Sequence, residues 1–352
     1  MKGISGLTNI GNTCFMNTAL QCLSHIPELQ DLFLNRKIHE YKNTKRDENT
    51  KEKEVTHQWV RLLTGLVKDV EESKQKTIRP MSFFKSFMTY VISKNIQQFR
   101  GFSQNDVQEF IVVLMDIIHM ACSRTVNINI KGIPKTDLDK QAVEAGKTWK
   151  NYFKSQYSEI ISIFYGQLCS TLYHSETNEA ISHAYDPICH FPLPIPCSET
   201  TGLSQEELNE IEPSIYDCFD SFTEEESIEG LEYKWKSKTI EVNKQLKIWS
   251  FPKIMMVTLK RFKDGSLKNN TLIDFPLEGL DVSKYCVGYE KDVIYDCIGI
   301  CNHVGGLHGG HYYAYCLCED NEWREFNDSH VRTIKKESIV SQNAYVLFYK
   351  KR

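Results

Sequence analysis

The sequence predicts an α+β fold, with helices in its first half and a largely antiparallel sheet in its second. Three observations carry that expectation. Apolar residues recur at helical spacing as far as residue 121, and short β-rich runs alternate with turns from about residue 160. No Pro/Gly-rich linker separates the two halves, so one continuous domain is expected over 1–352. With 352 residues, 41% of them hydrophobic, the chain can bury a sizeable core.

The elements follow in order. Residues 14–33 predict a helix on Phe15, Met16, Ala19, Leu20, Leu23 and Ile26. Residues 42–54, KNTKRDENTKEKE, mix charges of both signs without a large apolar residue and predict a solvated loop. Helical periodicity returns over 57–72 and 81–94 and is strongest over 103–121. There Ser103 reads as the cap, and Val107, Phe110, Ile111, Leu114, Ile117 and Ile118 as the buried stripe. Residues 125–147 show no clear pattern and read as a connection. Beyond them IFYGQLCSTLYH, KIMMVTLKRF, DVIYDCIGICNHV, HYYAYCL and AYVLFYK predict strands. The acidic stretch 204–232 reads as an exposed loop or short helix.

Charge and composition exclude several classes. A net charge of −4 argues against a general nucleic-acid binder, which would carry a basic face. No run of about 18 apolar residues predicts a membrane span, and the first residues do not read as a secretory signal. The twelve cysteines are scattered through a core-forming chain, so reduced thiols in an intracellular setting are expected, cytoplasm and nucleus not being distinguished.

One cysteine stands apart. In GLTNIGNTCFMNTALQCL, residues 6–23, Cys14 marks the point where a turn-rich segment becomes a helix. A helix N-terminus favours a thiolate, and a distant histidine is the usual second activator. CNHVGGLHGGHYYAYC, residues 301–316, offers His311 at the start of a strand behind a glycine-rich loop. Gly305, Gly306, Gly309 and Gly310 would let a substrate backbone approach closely and the loop move. Downstream, EWREFNDSHV supplies Asn327 and Asp328, either of which could accept a hydrogen bond from the His311 ring and orient it.

These segments resemble the ubiquitin-specific protease family. GLTNIGNTCFMNTALQCL resembles its Cys box; GHYYAY, WREFNDSHV and AYVLFYK resemble its His box. FSQNDVQEFIVVLMD (102–116), SEIISIFYGQL (158–168), LKRF and DFP lie between them in the family's order. The resemblance implies a papain-like thiol protease core with a thumb over about 1–125 and fingers and palm over about 150–352. It implies a deubiquitinase that hydrolyses the isopeptide or peptide bond at ubiquitin's C-terminal glycine. Cys14 would be the nucleophile, His311 the general base, Asn327 its orienting partner, and Asp328 a polar support or substitute. Asn9 would donate to the oxyanion. Asp106 would bind the arginine-rich tail of ubiquitin, with Glu109 as a second candidate, and Gly309 and Gly310 would line the tail's narrow cleft. Its loops are expected over 263–272 and 303–310.

The chain departs from the family at one place. Many members hold zinc between two C-x-x-C pairs at the base of the fingers. Here the first pair is replaced by Tyr173, His174, Ser175 and Glu176, and the second by EYKWKSK (232–238). Cys169, His174, His183, Cys189, His190 and Cys197 remain nearby, but closed zinc sites want ligands paired on a knuckle. No zinc and no other cofactor is expected. The expected partners are ubiquitin and ubiquitinated proteins, with no nucleic acid and no membrane, and the chain acting as a monomer. Two other readings keep the fold: a catalytically silent ubiquitin-binding module, and the same chemistry on another ubiquitin-like modifier.

Overall fold

The computed structural model describes residues 4–38, 50–67, 76–101, 103–196, 212–228, 233–235, 238–262, 268–306 and 309–352. A short strand, β1 (Gly6–Leu7), leads through a tight turn into helix α1 (Cys14–Ser24). Every residue of α1 is buried, because the helix lies between strand and helix layers and not on the surface. The single helix expected over 14–33 is broken at Ile26, which is extended (φ −82°, ψ 112°) ahead of Pro27. A residue before proline is pushed out of the α region, and the proline ring cannot continue the ladder. The chain resumes as α2 (Pro27–Gln30) and a π-helical turn over Asp31–Asn35.

Helix α3 (Thr50–Val67) begins earlier than its apolar periodicity suggests and takes in 50–54 of the expected loop. Glu52 explains the difference: it is 4% exposed and paired with Lys94 Nζ at 2.8 Å, so a charged residue here faces inward. Residues 42–49 and 68–72 lie outside the described residues. After β2 (Thr77–Ile78) comes α4 (Met81–Ser93), close to its expected bounds. Helix α5 (Val107–Cys122) starts later than expected and is capped by Asp106, not Ser103. The Asp106 carboxylate accepts from the amides of Gln108 (2.7 Å) and Glu109 (3.2 Å), satisfying two of the helix's orphan donors.

The expected connection over 125–147 contains the start of a 17-residue helix, α6 (Asp137–Phe153). Its buried residues are Ala145 and Phe153, too few to print a stripe on the sequence. The start signal was a capping box instead, Thr136 with Asp139. A short α7 (Glu159–Phe164) then leads into the sheets.

Strands β3 (Gly166–His174), β4 (Ala180–Ile188), β6 (Glu225–Ser227) and β9 (Val242–Ser250) form a four-stranded sheet ordered β4-β3-β9-β6. Between β4 and β6 come β5 (Phe191–Leu193) and α8 (Ile215–Phe222), so part of the acidic stretch is helix and strand. Residues 204–211 and 229–232 lie outside the description. The pair β7 (Tyr233–Trp235) and β8 (Lys238–Ile240) forms its own ribbon.

The larger sheet runs β15-β14-β13-β12-β16-β10-β5, with β11 (Leu280–Asp281) on β12. Its remaining strands are β10 (Ile254–Leu259), β12 (Ile294–Gly306), β13 (Gly309–Leu317), β14 (Trp323–Asn327), β15 (His330–Thr333) and β16 (Ala344–Lys351). All its pairings are antiparallel except β10 with β5. Period-2 alternation splits its side chains between two cores. Met256, Val346 and Phe348 face α1, α3, α4 and α5, while Met255, Leu347 and Tyr349 face α8 and the other side. Helix α1 is thereby pressed onto β13, which brings the helix that starts at Cys14 against the strand that carries His311.

Candidate active site

Cys14 is the first residue of α1, and the turn before it places Gly11 (φ 118°) and Asn12 (φ 51°) in left-handed backbone. Phe15, its neighbour, locks this end of the helix. Its ring meets Phe110 edge-on at 5.6 Å and Phe99 at 6.3 Å. The thiol is 3% exposed. Burial pushes it above the ordinary thiol range. The backbone amide of Tyr312 pulls it back, the charge of Asp328 pushes it up again, and the amides of Phe15 and Cys14 itself pull it down.

The geometric link is the packing of α1 on β13, the strand that carries His311. His311 Nε2 lies 2.7 Å from Asn327 Oδ1. An amide oxygen only accepts, so Nε2 carries the proton and Nδ1 keeps its lone pair. A general base requires such an arrangement, a ring oriented through one nitrogen with the lone pair on the other. The start of β13 is itself held. Gln104 Nε2 donates to Gly310 O (2.8 Å), and the Gly310 amide donates back to Gln104 Oε1 (3.0 Å). Gly310 must be glycine here, because an added Cβ would stand 2.2 Å from His303 Nε2.

Asp328 does not touch the imidazole in the way Asn327 does. It turns away and binds two asparagines, accepting from Asn9 Nδ2 on Oδ2 (3.0 Å) and from Asn17 Nδ2 on Oδ1 (2.7 Å). Asn9 is fixed at its other end as well. Its Oδ1 accepts from Gly11 N (3.0 Å), Thr13 N (3.2 Å) and Thr13 Oγ1 (3.2 Å). One Nδ2 proton of Asn9 is engaged and the second has no acceptor among the described residues, beside the N-terminus of α1.

Of the expected tail-binding residues, Asp106 is half-buried and largely committed. Besides capping α5 it accepts from Tyr345 Oη (2.7 Å) and Tyr312 Oη (3.5 Å). Glu109 is exposed in the first turn of α5. Gly309 is exposed and pairs with Gly306 across the β12–β13 hairpin, whose tip residues 307–308 lie outside the description, as do 263–267. The reading of the sequence missed Asn17, Gln104 and Thr13. Asn17 had a signal, being a side-chain amide one turn after Cys14 in a helix that buries an apolar stripe; Gln104 had none.

The zinc question can be put to the donors present. The His174 ring is edge-on to Trp235 at 5.7 Å, and its Nδ1 accepts from the Glu176 amide at 3.2 Å. His183 is bonded to Thr171 Oγ1 (3.0 Å) and Gln141 Nε2 (3.1 Å). Cys197 lies outside the described residues. Among the described residues no three His, Cys, Asp or Glu side chains converge as a metal cluster. These donors do not fit a closed tetrahedral site.

A family model described as ubiquitin carboxyl-terminal hydrolase matches residues 5–349. The chain belongs to the ubiquitin carboxyl-terminal hydrolase family. Its curated relatives include human ubiquitin carboxyl-terminal hydrolase 21, 30% identical over 370 residues that span 99% of this chain and 61% of the relative. Ubiquitin carboxyl-terminal hydrolase Usp2 of Drosophila melanogaster is 30% identical over 359 residues, 99% of this chain and 35% of that protein. The chain therefore spans about three-fifths or less of these relatives. Among solved members, a chain of the SAGA Ubp8/Sgf11/Sus1/Sgf73 DUB module bound to ubiquitin aldehyde superposes with TM-score 0.74 at 27% identity. The match covers all of this chain and 70% of that one. The same module bound to monoubiquitin gives 0.74 at 26%, with the same coverage. The α+β, papain-like fold implied by the resemblance is the fold of this family.

Proposed function

We propose that this chain is a thiol-dependent deubiquitinase, hydrolysing the isopeptide or peptide bond that follows ubiquitin's C-terminal glycine. The observation that carries the reading is the bond from His311 Nε2 to Asn327 Oδ1, on a strand, β13, against which α1 packs with Cys14 at its start. Family membership and the two ubiquitin-bound neighbours support the choice of modifier.

In the proposed cycle, His311 Nδ1 takes the Cys14 proton as the sulfur attacks the glycine carbonyl carbon. The carbonyl π electrons move to oxygen, and the second Nδ2 proton of Asn9, with the amides at the start of α1, stabilises that oxyanion. The oxyanion then collapses, the C–N bond breaks, and the His311 imidazolium returns its proton to the leaving amine. A water deprotonated by Nδ1 next attacks the thioester. Cys14 leaves as thiolate and recovers the proton. Asn327 holds the ring throughout, and Asp328 acts on Asn9 instead of on the ring.

Asp106 and Glu109 supply negative charge at the start of α5 for the arginines of the ubiquitin tail. Gly309 and Gly310 leave room for its glycines. The four-stranded sheet is proposed to stand without zinc, held by strand pairing and packing such as that of His174 on Trp235. An intracellular, monomeric enzyme is proposed; the free thiols at the described cysteines agree with a reducing setting.

The test is reaction with ubiquitin bearing a C-terminal thiol-reactive electrophile. A covalent adduct heavier by one ubiquitin, lost in Cys14→Ala, supports both nucleophile and modifier. Tight binding of plain ubiquitin without an adduct would favour the silent binding module. Neither binding nor adduct would point to another ubiquitin-like modifier.

A further inference from the structure

The further inference concerns Asn17 and rests on the thiol-hydrolase reading of the site. Asn17 follows Cys14 by three residues on α1, is 2% exposed, and sits where its helix is otherwise packed into the core. An amide in such a place costs stability unless it is bonded. Its Nδ2 donates to Asp328 Oδ1 at 2.7 Å and, at 3.4 Å, to the Leu7 carbonyl, while its own Oδ1 has no partner among the described residues. A buried acceptor left unsatisfied is a cost that an apolar residue of the same size would not incur. The amide therefore has to be explained by what its donor end does.

That end fixes a carboxylate shared by three distant segments. Asp328 stands in left-handed backbone (φ 50°), and its carbonyl accepts the Leu7 amide at 2.8 Å. Gly6 is pressed so closely on this turn that an added Cβ would stand 2.5 Å from the Ser329 carbonyl oxygen. The turn cannot shift, so the freedom left to Asp328 is rotation of its carboxylate. Asn17 removes it by binding Oδ1, which leaves Oδ2 facing Asn9 Nδ2 at 3.0 Å.

We propose that Asn17 is a positioning residue: through Asp328 it holds the Asn9 amide so that its second Nδ2 proton faces the reacting carbonyl oxygen. The order of action is Asn17, Asp328, Asn9, oxyanion. Nucleophile and oxyanion donor are thereby set from the same helix, one turn apart, so that a displacement of α1 moves both together.

The experiment is a cycle of Asn9→Ala, Asn17→Leu and the double variant, on a fluorogenic ubiquitin amide, beside the wild type. Asn17→Leu keeps the branched four-atom side-chain skeleton and removes the orphaned acceptor, so the fold is expected to persist, which circular dichroism and Tm check. The expected result is a kcat lower by about 10-fold to 10²-fold with KM within about twofold, as for partial loss of one oxyanion donor. The double variant should be no slower than Asn9→Ala alone. Losses that multiply, or a loss confined to KM, would overturn the relay. A readout independent of turnover is the Asn9 side-chain amide resonance in protein labelled with ¹⁵N at asparagine. Asn17→Leu should move it as Asp328→Ala does. An unmoved Asn9 resonance in a folded Asn17→Leu would also overturn the proposal. If the wild type turns over no ubiquitin amide, the functional reading fails, and the resonance still decides the relay.

Discussion

Asn327 accepts the Nε2 proton of His311 at 2.7 Å, and the adjacent Asp328 turns to the opposite side to hold Asn9 and Asn17. Two neighbouring polar residues thus bind different groups, one the imidazole and the other two asparagines, which in the proposed cycle are the base and the oxyanion donor with its positioning residue. Asn327→Ala should lower kcat by about 10²-fold or more, within the range for losing an oriented acid–base group. Asn327→Asp, which keeps an acceptor, should retain most activity. Steady-state turnover of a ubiquitin amide checks both, and equal activity of Asn327→Ala and wild type would remove Asn327 from the mechanism.

The charge of Asp328 also reaches the nucleophile. Burial first, and Asp328 among the further causes, raise the Cys14 thiol above its ordinary value, so its thiolate is populated only at higher pH than that of a free cysteine. Removing the charge with Asp328→Asn should shift the pH profile of alkylation by iodoacetamide toward lower pH. The same variant should lower kcat, because the carboxylate that holds Asn9 is lost. A profile that stays in place or moves upward would contradict the assigned electrostatics.

A different pH dependence should arise at His303, 3% exposed between Phe262 (5.6 Å) and Tyr312 (4.5 Å), with Nδ1 unpartnered among the described residues. Burial, then Lys268, then His311 push its ring down from 6.5 to about 4. Below pH 6.5 the unfolded chain binds a proton that the folded chain refuses until about 4, so stability falls as pH drops through that window. Each unit of the gap is worth about 1.4 kcal/mol. His303→Gln should flatten this part of a stability–pH curve from denaturant unfolding; an unchanged slope would assign the acid sensitivity elsewhere.

Removal of metal should change nothing. Prolonged dialysis against a chelator is expected to leave both ubiquitin-amide turnover and Tm as they were, and metal analysis of the purified chain to find less than stoichiometric zinc. A Tm lowered by chelation and restored by zinc would mean that donors including residues such as Cys197 complete a site.

Much of this protein was legible in its residues taken alone. Helical period in α4 and α5, β-rich runs in the large sheet, and Cys14 and His311 in their turn-rich settings are local signals. They depend on short-range sterics and on which face is apolar. Helix bounds were less legible where one side chain chose between candidates. Asp106, not Ser103, caps α5, and Pro27 divides what periodicity alone read as a single helix. Helix α6 escaped because it buries too little to show a stripe.

What only the tertiary structure decided is which groups share a proton or a charge. Local sequence leaves Asn327 and Asp328 as alternative partners for the imidazole, because both can accept a hydrogen bond. The antiparallel pairing of β13 with β14 and the packing of α1 on β13 separate them, sending Asn327 to His311 and Asp328 to Asn9 and Asn17. Asn17 and Asp328 are 311 residues apart. Their bond depends on α1 packing onto the large sheet within one core, a long-range condition that no local pattern encodes.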